Sequence, residues 1–375
     1  MSTIFFFFAV STLLIYGCQI AMIVFYFKKP LVIKSNPVKH KVFISVIIPV
    51  RNEESNVGKL LNYLNNQSYN KSLFEVILVD DHSEDKTMEL INEFRIHHPE
   101  MSILTGSLSD RFSKKMAITA GINMSKGELI VCTDGDCQVP TDWLLKLAAY
   151  YDQYQPQMII GPVSLSGSES FFDRFQQYDY LAMMASGLAF NRMGFPLLCS
   201  GANLAFRRQA FDEVEGYSGN EHLASGDDVF LMLKFKKKFP DRIHSLVEKD
   251  SIVNTPVSAE VIDFFQQRIR WGNKMKDVEG LYIKLVASII FATNFLLLSS
   301  LFLAFFIPEG LYFFIGGLLF KTGIDLFLLK KAANFCSIRL NPKTILLAEL
   351  TYPFYYLFLT LFSLTWKVNW KGRKI

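Results

Sequence analysis

A chain of 375 residues is long enough for one large domain together with membrane segments. Half of its residues are hydrophobic, 35 of them Phe, and the excess gathers at the two ends, which argues for membrane helices over a greasy soluble core. A formal net charge of +4, with the lysines clustered beside the apolar stretches, gives no support to a nucleic-acid recognition surface.

Residues 4–27 carry no charge, and at ~1.5 Å per residue such a run crosses a ~30 Å hydrocarbon layer as one helix. A cleaved leader would want a basic start, a shorter apolar stretch and a small-residue cleavage site, none of which is visible, so a retained anchor is expected. Lys28, Lys29, Lys34, Lys39 and Lys41 follow and place the next domain on the cytoplasmic side by the positive-inside bias.

From Val42 the pattern alternates strand and helix. Residues 43–48 read as a near-continuous apolar strand, followed by a helix with Ser55 as a plausible cap and Val57, Leu60, Leu61 and Leu64 on one face. Residues 74–79 form a second strand, ending at Asp80 and Asp81. Ser83 is placed to cap the next helix, which buries Met88, Ile91 and Phe94. A short strand near Ile103, a helix over 116–124 and a strand over 128–133 complete the run. Such repeats predict a parallel sheet covered by helices on both faces, with ligands beyond the carboxyl ends of its strands. No G-x-G-x-x-G follows the first strand and no P-loop motif occurs, which argues against dinucleotide and P-loop chemistry.

Three further apolar stretches, about 285–307, 310–329 and 344–366, close the chain. Lys330 and Lys331, like Lys367, Lys371, Arg373 and Lys374, ask to be cytoplasmic, and three full crossings cannot satisfy both groups. The last stretch, with Glu349 and Pro353, is the first suspect for a re-entrant or interfacial segment. Lys321 and Asp325 stand at i, i+4 and are expected to pair as a structural couple. The five cysteines have no metal-ligand spacing, and no disulfide framework is expected.

The acidic TDGD at 133–136 terminates an apolar strand. Carboxylates at i and i+2 of an extended chain point to one side, where their mutual repulsion is best relieved by a divalent cation that also grips a diphosphate. With IPVRNEE (48–54), LVDDHSED (78–85), GDD (226–228) and QRIRW (267–271) in order, the chain resembles the membrane-bound family 2 glycosyltransferases. The resemblance covers about residues 42–275 and implies an α/β fold of the GT-A, Rossmann-like, nucleotide-diphospho-sugar transferase type, flanked by transmembrane helices. The organisation expected is an anchor at 1–28, a cytoplasmic glycosyltransferase domain at 42–275 and a membrane region at 281–367.

The resemblance also implies roles. Asp80 and Asp81 sit where the family recognises the nucleoside, with Pro49, Arg51 and Glu53 lining the same pocket. Lys115, or its neighbour Lys114, stands near the donor diphosphate. Asp134 and Asp136 resemble the metal pair, for Mg²⁺ or Mn²⁺. Asp228 aligns with the family's base, with Asp227 as the neighbouring acid. Gly201 lies in a loop closing the pocket, and Gln267, Arg270 and Trp271 form the acceptor and diphosphate wall on one helix face. Arg268 and Lys274 fit a membrane-facing basic surface better. No second positioned acid is available as a nucleophile, so inversion is expected. The activity implied is sugar transfer from a nucleotide-sugar donor, UDP favoured over GDP, to a lipid acceptor at a bacterial inner (plasma) membrane. Extension of a cell-surface polysaccharide is the second reading and a non-catalytic scaffold the third.

Overall fold

The computed structural model describes residues 2–28, 41–108, 113–219, 226–274, 280–366, 369–370 and 373–374. Lys29, Lys34, Lys39, Lys367, Lys371 and the Lys274 side chain, on which some expectations rest, lie outside the described residues. By its internal contacts the chain divides into two compact units: residues 29–166 with 186–256, and residues 1–28 with 167–185 and 257–375.

The first unit is built on a seven-stranded sheet. In chain order it contains β1 (Ile44–Val50), α2 (Val57–Asn65), β2 (Phe74–Asp80), α3 (Thr87–His97), β3 (Ile103–Ser107), α4 (Lys114–Met124), β4 (Leu129–Cys132) and α5 (Trp143–Tyr154). Then come β5 (Met158–Ile160), β6 (Val163–Ser166), the end of α6 (Phe171–Arg192), β7 (Leu204–Arg207), α7 (Arg208–Glu213), α8 (Asp227–Lys238), β8 (Ile243–Ser245) and β9 (Val253–Pro256). The strand order is β3-β2-β1-β4-β7-β5-β8, with β6 and β9 paired separately. The strands β3, β2, β1 and β4 run parallel. The mainly apolar sequences of β1 and β4 follow from burial on both faces: all but one residue of β1, and every residue of β4, is buried.

The expected all-parallel sheet needs one correction. β7 runs antiparallel to both β4 and β5, so the sheet is mixed. Two expected caps also differ. Helix α2 is preceded by Asn56, whose side chain makes no cap bond, and Ser83 Oγ instead accepts from Asn52 N. The α3 entrance is held by Asp85, whose carboxylate accepts from the Thr87 N–H and hydroxyl. The predicted faces largely hold: Val57, Leu60, Leu61 and Leu64 of α2 are buried, whereas on α3 only Ile91 of the expected three is fully so.

The second unit contains α1 (Ser2–Lys28), the first two thirds of α6, α9 (Val261–Lys274), α10 (Leu281–Leu303), α11 (Pro308–Cys336) and α12 (Pro342–Thr365). Four of these, α1, α10, α11 and α12, are long and apolar enough to cross a membrane. The expected i, i+4 pair forms, with Lys321 Nζ 2.6 Å from Asp325 Oδ2. It gains partners the spacing did not show: Glu349 Oε2 of α12 lies 2.8 Å from the same nitrogen, and Tyr16 of α1 donates to Asp325 Oδ1 at 2.5 Å. Glu349, one reason for suspecting a broken last segment, thus shares a buried cation with Asp325, and α12 continues as one helix through Pro353. A lone lysine at such a position costs several kcal/mol, so the carboxylates are what make Lys321 tolerable there.

Candidate active site

The carboxyl ends of β1, β2 and β4 meet along one edge of the sheet. Val50 is in register with Asp80, and Ile47 with Cys132, so the loops carrying Arg51, Asp81 and Asp134 leave adjacent strands side by side. The Asp81 N–H donates to the Val50 carbonyl at 2.9 Å, extending the ladder one residue past the strand. Asp80 and Asp81 then divide the work. Asp80 closes the turn by accepting from Ser83 N, while Asp81 is 6 % exposed. Burial raises the Asp81 pKa, and the neighbouring His82 and Arg51 only partly oppose that rise. A desolvated carboxylate with a perturbed pKa at a strand end is a strong candidate for ligand recognition. Pro49 is the penultimate residue of β1, opposite Val79.

At the end of β4 the loop passes close to Glu53. A Cβ on Gly135 would stand 2.9 Å from Glu53 Cγ and 3.5 Å from a Val50 methyl. Gly135 is therefore required by the approach of the first loop, and its absent side chain brings Glu53 beside Asp134 and Asp136. Asp136 accepts a weak bond from the Cys137 thiol. Burial pushes the thiols of Cys132 and Cys137 up, which disqualifies both as nucleophiles.

Lys114, at the start of α4, ties this loop to the second acidic pair. Its ammonium is 2.5 Å from Asp134 Oδ1 and 3.6 Å from Asp227 Oδ2. Burial works against the lysine's charge, but Asp134 and Asp227 more than reverse it, so its pKa lies above the ordinary lysine value. Lys115 points elsewhere: it is buried, with its nitrogen 5.6 Å from the Phe230 ring. Of the two adjacent lysines, the structure brings Lys114 to the acids.

Asp227 and Asp228 open α8, where carboxylates are favoured by the exposed N–H groups and the helix dipole. Asp228 Oδ1 accepts from the Val229 N–H at 2.8 Å, and Oδ2 from the Gly201 N–H at 3.3 Å. Gly201 begins a single 3₁₀ turn over Gly201–Asn203. A Cβ there would lie 3.3 Å from Asp227 Oδ2 and 3.4 Å from Lys114 Nζ, so this backbone forms one wall of the cluster.

Asn203, which the sequence reading passed over, fixes that wall. It is 1 % exposed, donates to the carbonyls of Pro162 and Ser251, and accepts from Trp143 Nε1. Its only sequence signal was a polar residue among apolar neighbours at the entrance to β7. Tyr217 was also missed. Burial raises its hydroxyl pKa, and the charges of Asp227 and Asp228 add to the rise.

Gln267, Arg270 and Trp271 belong to the other unit, on α9. Arg268 contradicts the expectation of a membrane-facing base. It is 5 % exposed, its Nε donates to Asp179 Oδ2 at 2.8 Å, and its guanidinium lies 4.4 Å from the Trp271 ring.

The carboxylates of Asp134 and Asp136 are hard oxygen donors. Among the described residues no group of three or more His, Cys, Asp or Glu could by itself hold a metal. That suits an ion taking two protein carboxylates and completing its shell with phosphate and water oxygens, which is how Mg²⁺ is commonly held. Lys114 occupies one oxygen of Asp134 and leaves the other for such an ion, so the residues fit a divalent cation.

A parallel sheet with one antiparallel strand, acids at the strand ends and a D-x-D loop make up a GT-A fold. The solved mannosyltransferase of Pyrobaculum calidifontis, determined with GDP-Man and Mn²⁺, shares that fold over 95 % of this chain and 96 % of its own, with a TM-score of 0.58 and 19 % identity. Residues 45–215 match the family model for Glycosyl transferase family 2, so the chain carries a family 2 glycosyltransferase domain. Among curated relatives, glycosyltransferase AglE of Haloferax volcanii is 26 % identical over 232 residues, covering 61 % of this chain and 72 % of its own length. The beta-monoglucosyldiacylglycerol synthase of Trichormus variabilis is 25 % identical over 236 residues, and the chain spans 48 % of that relative's length. The undecaprenyl-phosphate 4-deoxy-4-formamido-L-arabinose transferase of Edwardsiella ictaluri is 31 % identical over 134 residues, 40 % of its length.

Proposed function

We propose that the chain is an inverting transferase that moves one sugar from a nucleotide-sugar donor to a lipid acceptor. Residues 42–275 form its catalytic domain on the cytoplasmic face of a bacterial inner membrane, held there by the anchor at 1–28 and the helices within 281–367. The observation that carries the reading is the acid cluster joined by Lys114, in which the D-x-D carboxylate Asp134 and Asp227 share one ammonium. On this reading a diphosphate-and-metal locus lies beside a pair of candidate bases.

In this reading Asp81 accepts from the nucleobase, with Asp80 setting its turn and Pro49, Arg51 and Glu53 lining the pocket. Asp134 and Asp136 hold Mg²⁺ or Mn²⁺, which neutralises the departing diphosphate when bound. Lys114 keeps a fixed positive charge at the same place, and Lys115 supports α4 from within the core. Asp228 takes the proton of the acceptor hydroxyl, its orientation fixed by the Val229 and Gly201 N–H groups. Gly201 forms the pocket wall, and Gln267, Arg270 and Trp271 serve the acceptor and the diphosphate. The lipid class of acceptor is supported by the four apolar helices and by relatives named for diacylglycerol and undecaprenyl-phosphate products. UDP is favoured over GDP as the donor nucleotide.

The test is nucleotide release by purified detergent-solubilised protein with Mn²⁺, across UDP- and GDP-sugars, with and without extracted membrane lipid. Release stimulated by lipid with one donor supports the reading. Release that needs a soluble glycan instead replaces the lipid acceptor with polysaccharide extension. Silence with every donor and acceptor removes the reading.

A further inference from the structure

Arg268 is a buried cation that the proposed chemistry does not use. Its Nε donates to Asp179 Oδ2 at 2.8 Å and its Nη1 to Gln267 Oε1 at 2.8 Å. Its guanidinium plane lies 4.8 Å from the Phe264 ring and 4.4 Å from the Trp271 ring. One side chain therefore touches both Gln267 and Trp271 of the Q-x-x-R-W segment. The other side of the pair is equally fixed. Asp179 on α6 also accepts from Tyr355 at 3.3 Å and from Tyr352 at 3.5 Å, both on α12. Tyr180, next to Asp179, packs its ring 6.1 Å from that of Trp271.

The chemistry favours arginine over lysine here. A planar fork donates to two acceptors in fixed directions while presenting its face to an indole, whereas an ammonium is a point charge that does only one of these well. Side chains that hold a ligand within fractions of an ångström need such support, because a misplacement of about 1 Å costs up to about a hundredfold in rate.

We propose that Arg268 is a positioning residue for acceptor recognition: clamped by Asp179 and the two tyrosines of α12, it sets the orientation of Gln267 and Trp271. This rests on the reading that Gln267 and Trp271 serve the acceptor. It also makes α12, a candidate membrane helix, part of the support of that surface.

The experiment uses the full chain in nanodiscs, with the donor identified by nucleotide release and either diacylglycerol or undecaprenyl phosphate in phosphatidylglycerol bilayers as acceptor. Arg268→Lys keeps the charge opposite Asp179 and loses the fork. It is expected to raise the acceptor KM about tenfold while donor KM and melting temperature stay near wild type, a split that a purely structural role would not produce. Tyr355→Phe, a milder change that keeps the ring, is expected to move acceptor KM the same way by a smaller factor. Trp271→Ala is measured beside them. If it raises acceptor KM and the Arg268→Lys variant does not, the positioning role is overturned while the function stands. Should Arg268→Lys fail to fold, an unchanged acceptor KM in Tyr355→Phe overturns it equally. If Trp271→Ala leaves acceptor KM unchanged, the acceptor role of this segment falls first.

Discussion

Gly161→Ala tests whether the wall of the acid cluster is held from behind. A Cβ at this position would stand 2.3 Å from Asn203 Cγ and Nδ2 and 2.4 Å from its Oδ1, distances that real atoms do not tolerate. Asn203 must move, and its three side-chain hydrogen bonds, to Pro162, Ser251 and Trp143, are lost together. At about 1 kcal/mol net for each buried bond, the loss is about 3 kcal/mol. For a unit of roughly 200 residues this lowers the melting temperature by about 6–12 °C. The displaced turn also carries Gly201, so the N–H that orients Asp228 shifts and transfer falls more than donor binding does. Thermal melting, donor binding and initial transfer rates should be compared in Gly161→Ala, Asn203→Ala and the double variant. The three atoms nearest that methyl all belong to the Asn203 side chain beyond its Cβ, so the double variant should cost little more than Asn203→Ala alone. Additive losses, or a Gly161→Ala protein melting within about 2 °C of wild type, refute the reasoning.

Asp136→Ala should abolish metal-dependent donor turnover, and wild-type turnover should stop in chelator and return with Mn²⁺ or Mg²⁺; undiminished activity in chelator removes the metal from the site. Asp228→Asn should bind donor normally and lose at least about a hundredfold in transfer, whereas a larger loss in Asp227→Asn would move the base to that residue. For Asp81 the folded pKa is raised, so the folded state binds more protons than the unfolded one and ligand-free stability falls as pH rises from the unfolded carboxylate range through the raised value. Asp81→Asn should therefore stabilise the ligand-free protein at pH 7 while weakening nucleotide binding about tenfold or more, which melting curves with and without nucleotide would read. Lys321→Met leaves Asp325 and Glu349 without their cation and should cost about 3–5 kcal/mol in micelle unfolding; adding Asp325→Asn and Glu349→Gln should recover most of it.

The central sheet was legible because strands buried on both faces must be largely apolar, as β1 and β2 are; their buried polar residues, Ser45 and Glu75, are tolerated because Ser45 Oγ donates to Glu75 Oε1 at 2.6 Å. The D-x-D at the end of β4 was legible for the same reason: two carboxylates closing an apolar run have no other economical place. β7 was not, since a four-residue strand carries no directional signal and its antiparallel sense depends on the path of the turn at Gly201–Asn203. Lys114 and Lys115 differ by one position, which on a helix is a rotation of about 100°; only the packing of α4 against the sheet decides which reaches the acids. Arg268 looked like part of a basic outer face because its partner, Asp179, is 89 residues away. The same holds for Glu349, whose meaning depends on Lys321 in the preceding helix. Local pattern fixes elements; charge partners distant in the chain escape it.

The Tyr16–Asp325–Lys321–Glu349 cluster has a consequence for biosynthesis. The chain emerges N-terminus first, so Tyr16 is in place before Lys321 and Asp325 leave the ribosome as a neutral couple one helical turn apart. Glu349 emerges last and adds a second acceptor to an ammonium that Asp325 already holds. The charge of Lys321 is thus matched within α11 before α12 is made, and α12 then joins a cation that is already paired.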